Sequence, residues 1–370
     1  MKIRQLPIGI MALTSVALAT EVQLPSPDSL LGLPPVPIPA DNPLTLEKAR
    51  LGQQLFQEKR FSADGSISCA HCHKPELAFQ DGLPVSEGIG GQKGTRNAPT
   101  VINAAYYTTQ FWDGRRPSLE AQSKDPFVNP IEHGLKHHEP IVEIVRTEPD
   151  YQSRFRLVFG LQPQQITIDH VAQAIASFER TVVAGDSPFD RYLYGGDQKA
   201  LSPAAIRGLA VFRGNGRCVS CHVIETTTAL FTDNQFHNLG VGFSRIQDRL
   251  PQLIAAFRQA KAKGSPVDEA VLTQAELSEL GRFVVSGEIE DIGKFKTSTL
   301  RNIALTAPYM HDGSLKTLEE VVDFYDRGGL DNPMLDGGIR PLGLTTQEKA
   351  DLVAFLQSLT SARFAQPARR

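Results

Sequence analysis

All four cysteines of this 370-residue chain fall in two C-x-x-C-H motifs. The first is Cys69-Ala70-His71-Cys72-His73 and the second is Cys218-Val219-Ser220-Cys221-His222. The spacing is that of covalent c-type haem attachment: two sulfurs form thioethers to the porphyrin and the adjacent histidine reaches the iron. Cys69, Cys72 and His73 would hold one haem, and Cys218, Cys221 and His222 another. A zinc site needs four ligands, and each motif offers two thiols and one histidine. A dithiol redox pair explains one C-x-x-C but not a histidine after both, and structural disulfides call for neither histidine. Two covalently bound haems are the expectation, with no cysteine left for another role.

The elements that must carry these motifs form a weak internal repeat. Apolar residues recur at helical spacing over 46–56, just before the first motif, and over 203–212, just before the second. Ser202 reads as the N-cap of the latter, with Pro203 at its first helical position. A closing helix is expected in each half, over 167–183 and over 346–359. The stretch 186–199, with Gly195-Gly196, reads as a linker. Strand signals are few. The expected fold is mostly α, with two cytochrome c-like haem domains, 45–185 and 200–370, and long loops. Such loops are tolerated because a haem supplies much of the apolar core.

Residues 1–19 carry Lys2 and Arg4, an apolar run and Ala17-Leu18-Ala19, the pattern of a cleaved signal peptide. Export to the periplasm is the expectation, since haem attachment to C-x-x-C-H in bacteria is extracytoplasmic. No later stretch is long and apolar enough for a membrane span. Residues 20–44 are proline-rich and read as an extended lead-in. The formal net charge is −3 with no long run of one sign, which gives no support for a nucleic-acid partner.

Together with the two motifs, several segments make the chain similar to the bacterial di-haem cytochrome c peroxidase/MauG family over nearly all of its mature length. They are Arg96-Asn97-Ala98-Pro99-Thr100, Gln110-Phe111-Trp112-Asp113-Gly114-Arg115, the stretch from Phe231 through Asn238, and the run 295–329. The resemblance implies that the N-terminal haem reacts with peroxide. The C-terminal haem would be six-coordinate and handle electrons, the two would face a shared interface, and a tryptophan and a calcium ion would lie between them.

Three positions then choose a branch of the family. Many relatives place a histidine over the first haem in the loop preceding the R-N-x-P-T segment. Here that loop, 86–94, has none, and Gly91 stands nearest the position. The first iron is therefore expected to be open to peroxide without reductive activation, the competing reading being capture by His133, His137 or His138. Glu132 lies twenty residues after Trp112, where the family has its catalytic glutamate, and Gln122 and Pro126 fall at distal-pocket spacing. Splitting the O–O bond requires a proton to reach the departing oxygen, and a carboxylate near the iron can carry it. The plain alternative is an ordinary loop glutamate. Tyr325 stands fourteen residues after His311, where many relatives have the axial methionine of the second haem and MauG has tyrosine. A phenolate oxygen is a harder donor than a thioether and favours the more oxidised iron. Met310 and Met334 are the competing ligands.

Trp112, the single tryptophan, would by resemblance bridge the haems, although buried packing is the commoner role of that residue. MauG has a further tryptophan just before its second motif, near Gly216 of this chain, and its absence argues against the same protein substrate. By position, Asn97 would give calcium a side-chain oxygen, and Thr306 and Pro308 backbone carbonyls. His237 and His311 are expected to support the haems without binding iron, and His170 to have no haem role.

The function this implies is a periplasmic peroxidase reducing hydrogen peroxide to water, supplied with electrons by a small redox protein or another donor. The alternatives are a MauG-like oxidase of a partner protein and a non-catalytic electron carrier.

Overall fold

A computed structural model describes residues 21–264, 271 and 273–365, so the expected signal peptide lies outside the described residues. The helices that frame the site are, in chain order, α1 (Leu46–Phe56), α2 (Ile168–Glu179), α3 (Pro188–Leu193), α4 (Pro203–Arg213), α5 (Leu250–Ala262), α6 (Leu318–Asp326) and α7 (Thr346–Gln357). Strands β1 (Phe236–His237) and β2 (Phe295–Lys296) form one short antiparallel pair, Phe236 opposite Lys296. The expected mostly helical architecture is what the chain adopts. No helix among the described residues is long and apolar enough to cross a membrane.

The repeat seen in the sequence is a repeat of packing. α1 starts at Thr45, whose side chain accepts from Lys48 N, and α4 at Ser202, whose side chain accepts from Ala205 N. α1 crosses α2 at Gly52, where an added Cβ would stand 1.9 Å from the Ala174 carbonyl oxygen. α4 crosses α7 at Gly208, where a Cβ would stand 1.9 Å from the Asp351 carbonyl oxygen. Four residues beyond each glycine a phenylalanine meets the partner helix: Phe56 on Phe178 at 5.2 Å between ring centroids, and Phe212 on Phe355 at 5.0 Å. Glycine lets the backbones touch, and the aromatic ring fills the wedge that opens beyond it.

The loops repeat as well. Asn103 and Asn302 both take left-handed backbone. Asn103 N donates to Val182 O while its Oδ1 accepts from Ala184 N, and Asn302 N donates to Leu359 O while its Oδ1 accepts from Ser361 N. Each asparagine thus ties its half of the chain to the segment leaving that half's closing helix.

Three features differ from the sequence reading. The first closing helix ends at Glu179, not 183, because residues 180–186 turn away to meet Asn103 and the lead-in. The stretch read as a linker contains α3, whose Phe189 is fully buried in the second core. A third apolar cluster, built from Phe243, Leu253, Phe257, Leu280, Phe283, Ile292 and others, lies between β1 and β2 in the chain. Its short helices carry little periodic signal, which is why it escapes a sequence reading.

The proline-rich lead-in is stapled into the structure. Gly185 N and Asp186 N donate to Ser29 O and Leu31 O, Tyr106 Oη donates to Pro34 O, and Arg180 Nε donates to Pro37 O. Gly32 O accepts from Ala229 N and from Arg301 Nη2. Arg301 is itself buried and forms a two-point ion pair with Asp190 of α3, at 2.8 and 2.9 Å. Lead-in, α3 and second core are therefore joined at one buried charge pair.

Candidate haem and peroxide site

Two cavities open beside the two C-x-x-C-H motifs. The first is lined by Cys72, His73, Gln122, Pro126, Asn129, Glu132 and Glu179, among others. The second, larger one is lined by Cys218, Cys221, His222, Leu318, Val321, Tyr325, Leu352 and Leu356, among others. Their empty volumes, about 1210 and 1900 Å³ including space open to solvent, suit a large planar ligand in each.

The motif residues fit c-type haems. All four thiols are free, so none is spent on a disulfide. Burial pushes the Cys72 and Cys218 thiols up to about 12. His73 Nδ1 lies 3.2 Å from Phe79 O, and His222 Nδ1 lies 2.8 Å from Phe231 O. A carbonyl can only accept, so each Nδ1 carries the proton and each Nε2 keeps its lone pair for a metal. Phe79 and Phe231 both have positive φ, the turn that aims each carbonyl back at its histidine.

Glu132, Gln122, Pro126 and Trp112 all line the first cavity with His73. Asn129 Nδ2 donates to Glu132 Oε1, which fixes the carboxylate's direction. The histidine-free loop lies against this same segment. Ile89 N donates to Ile131 O and Glu132 O, and a Cβ on Gly88 would stand 2.0 Å from Ile131 O. Gly91, at positive φ, has open space around it. None of His133, His137 and His138 lines either cavity. His133 is buried with Nδ1 on Phe61 O, and His138 Nε2 donates to Lys124 O. His73 is the one histidine on the first cavity among the described residues.

In the second cavity Tyr325 projects from α6, whose N-cap Thr317 accepts from Glu320 N. Its phenol accepts or donates no hydrogen bond with any described residue, and burial pushes its ionisation far up. Met310 lines the same cavity, whereas Met334 packs against the third core. Asn97, Thr306 and Pro308 also line this cavity.

Asn97, Tyr107, Trp112 and Lys296 border both cavities and so form the wall between them. Trp112 Nε1 donates to Asn97 O at 2.9 Å, and Lys296 N donates to Trp112 O at 2.8 Å. Lys296 Nζ sits 3.7 Å from the centre of the Tyr107 ring and donates to Thr109 O. Burial pulls this lysine down to about 7, against the attraction of Asp113. Beside Trp112, burial works against ionising Asp113, but Arg115 and Arg96 outweigh it and hold the carboxyl well below its ordinary range.

The histidines expected to support haems are held by carboxylates. His311 stacks on Phe295 at 3.6 Å and its Nε2 lies 2.8 Å from Glu279 of the third cluster. His237 bridges Asp233 and Asp336, at 2.9 and 2.7 Å. Both line the second cavity. His170 serves as a helix cap with Thr167.

The same architecture recurs in a known protein structure. The family model described as di-haem cytochrome c peroxidase matches residues 46–199. The chain is 41% identical over 335 residues to cytochrome-c peroxidase IdrP1 of Denitromonas iodatirespirans, covering 89% of this chain and 85% of that protein. The chain belongs to the di-haem cytochrome c peroxidase family. It is an oxidoreductase, and membership of a di-haem family implies two c-type haems. It is also 38% identical over 324 residues to the methylamine utilization protein MauG of Methylorubrum extorquens, covering 88% of this chain and 81% of that one. A crystal structure of a MauG-like protein associated with microbial copper homeostasis superposes with a TM-score of 0.73 at 35% identity, covering 91% of this chain and 98% of that one.

Two groups on this family framework were not singled out from sequence. Glu279 and Glu179 reach the site from helical segments where a glutamate usually faces water, and spacing alone does not distinguish an inward from an outward one.

Proposed function

We propose that the protein is an exported peroxidase that reduces hydrogen peroxide to water at the N-terminal haem, with electrons entering through the C-terminal haem. The observation that carries this reading is the convergence of Glu132, Gln122, Pro126 and Trp112 on the cavity that holds His73, with no second histidine there among the described residues. When bound, the first haem supplies an iron at which the peroxide oxygen–oxygen bond is reduced. Glu132 accepts the proton of the inner peroxide oxygen and returns it to the outer one as that oxygen leaves. Asn129 holds Glu132 for this transfer, and Gln122 and Pro126 shape the space beside it. Turnover consumes two electrons and two protons per peroxide and yields two waters. The reductant is a small redox protein or another donor.

Trp112, which borders both cavities, carries electrons between them in this reading. Tyr325 is the distal ligand of the second haem in this reading, supported by its place on the second cavity. Asn97, Thr306 and Pro308 would hold a calcium ion with their oxygens. Chelation should then slow electron exchange between the haems, and added calcium should restore it.

A second reading, oxidation of a partner protein, is favoured by Tyr325, because a tyrosinate-ligated haem is a poor acceptor from a mild donor and a good store of oxidising equivalents. Gly216 disfavours the MauG substrate itself, since it offers no aromatic side chain at that face. Low-temperature EPR of the ferric holoprotein before and after stoichiometric peroxide tests the main reading. A mixed high-spin and low-spin spectrum, both signals lost on peroxide addition, is expected. Two low-spin haems indifferent to peroxide would indicate an electron carrier instead.

A further inference from the structure

The two halves present different residues at one equivalent place. Phe178 of α2 packs on Phe56, as Phe355 of α7 packs on Phe212. The next residue in each helix lines a haem cavity: Leu356 in the second and Glu179 in the first. Glu179 is 6% exposed, and its Oε2 is buried with no hydrogen-bond partner among the described residues. A buried carboxyl without a partner is destabilising, and leucine at the same place in the other half shows that the fold does not require one there.

The charges around Glu179 do not neutralise it. Arg180, the next residue, is engaged by Glu120 through 2.6 and 3.1 Å contacts from the short helix Leu119–Gln122. Lys48 of α1 is held by Asn42 and Pro43. Cys69 of the first motif lies within electrostatic range, and Glu132, Arg115 and His73 border the same cavity. Burial is the main influence on Glu179. Arg180 opposes it, Glu120 adds to it, and the carboxyl is pushed up to about 8.

We propose that Glu179 is a proton-holding residue of the first haem cavity, taking up a proton when that haem is reduced and releasing it when the haem is reoxidised. The inference deepens the peroxidase reading and rests on it for its role in turnover. On reduction, one electron arrives from the donor and one proton from solvent joins the Glu179 carboxylate. On reoxidation by peroxide, the electron passes to oxygen and the proton leaves toward the water being formed. Positive charge in the cavity favours the carboxylate, and its partial neutralisation by an electron favours the acid. Glu132 moves a proton between the two peroxide oxygens. Glu179 would supply one of the two further protons that turnover consumes.

Redox titration of the holoprotein with chemical mediators, without peroxide, between pH ~6 and ~9 tests this coupling. In the wild type the potential of one haem should fall as pH rises. Redox-difference infrared spectra should show the C=O band of a protonated carboxylic acid. Glu179→Gln should flatten the pH dependence and remove the band, while Glu179→Asp should keep both. The same slope and band in Glu179→Gln, or their loss in Glu132→Gln instead, would overturn the proposal. If Glu179→Gln does not accumulate with both haems, the wild-type band and its pH dependence in the Asp variant still decide. The EPR response to peroxide is a separate readout, so failure of the peroxidase reading and failure of the Glu179 coupling are distinguishable.

Discussion

Trp112 and His311 meet edge to face, with ring centroids 6.5 Å apart. Each stands in the same kind of turn. Phe111 before Trp112 and Met310 before His311 have positive φ, an aspartate follows each ring, and Gly114 and Gly313 close the turns at positive φ. The Asn97 backbone joins them, since Asn97 N donates to His311 O while Asn97 O accepts from Trp112 Nε1. One turn was therefore used twice, and the two copies meet at the wall between the cavities. Trp112→Phe keeps a ring but removes the donor to Asn97 O. We expect peroxide still to consume the first haem's ferric EPR signal, while loss of the second haem's signal slows at least tenfold. Rapid-freeze EPR measures both; equal rates in the two proteins would remove Trp112 from the route.

Glu132→Gln retains the shape and the partner Asn129 but cannot accept a proton. Peroxide turnover should fall by about 10²- to 10⁴-fold, the usual range for loss of a positioned acid–base group. The pyridine haemochrome spectrum should still report two haems per chain. Full turnover in the variant would return Glu132 to the status of a loop residue.

The haems and the frame around them are legible in the sequence because covalent attachment leaves a motif and helix crossings leave periodic patterns. Ser202 and Pro203 marked a helix start that the structure contains. The third cluster was not legible, although it supplies Glu279 to His311 and Ser278 to Arg96. Its helix α5 buries only Leu253 and Phe257, too few residues to set a period. The stapling of the lead-in was hidden for another reason. It rests on backbone carbonyls such as Gly32 O, and carbonyls are common to every residue type.

The second haem is addressed through Tyr325. Pro126 follows Trp112 by fourteen residues and Tyr325 follows His311 by fourteen, and each lines its own cavity. The duplicated turn thus leads to a proline on the first cavity and a tyrosine on the second. Tyr325→Met should raise the second haem's potential, because a thioether stabilises the reduced iron relative to an oxygen donor. Spectroelectrochemistry checks this, and an unchanged potential and spectrum would point to Met310.

Gly208→Ala tests the helix crossing. Alanine gains about 1 kcal/mol of helix propensity over glycine. Its Cβ would stand 1.9 Å from Asp351 O, a backbone atom that cannot move without shifting α7. Overpacking of this kind typically costs about 1–3 kcal/mol, so net destabilisation is expected. Gly337 has nothing within 4 Å of an added Cβ, and Gly337→Ala should stay within about 0.5 kcal/mol of the wild type. Denaturant midpoints of the two holoproteins compare them directly.

The buried Glu179 also makes a stability prediction with a definite sign. Its carboxyl is raised from 4.5 to about 8 in the folded protein, chiefly by burial. Below the unfolded value both states hold the proton, and the group's contribution is fully present. Between the two values the unfolded chain releases the proton while the folded protein keeps it, so stability falls as pH rises. Above about 8 both states are ionised and the loss is complete. Glutamine has no proton to release. Glu179→Gln should therefore lose less stability than the wild type between pH ~5 and ~8, by a margin on the order of a few kcal/mol. Denaturant unfolding of both holoproteins in the reduced state, in which Glu179 holds its proton, measures the difference across this window. Parallel pH dependences would show that Glu179 is ionised even in the reduced folded protein.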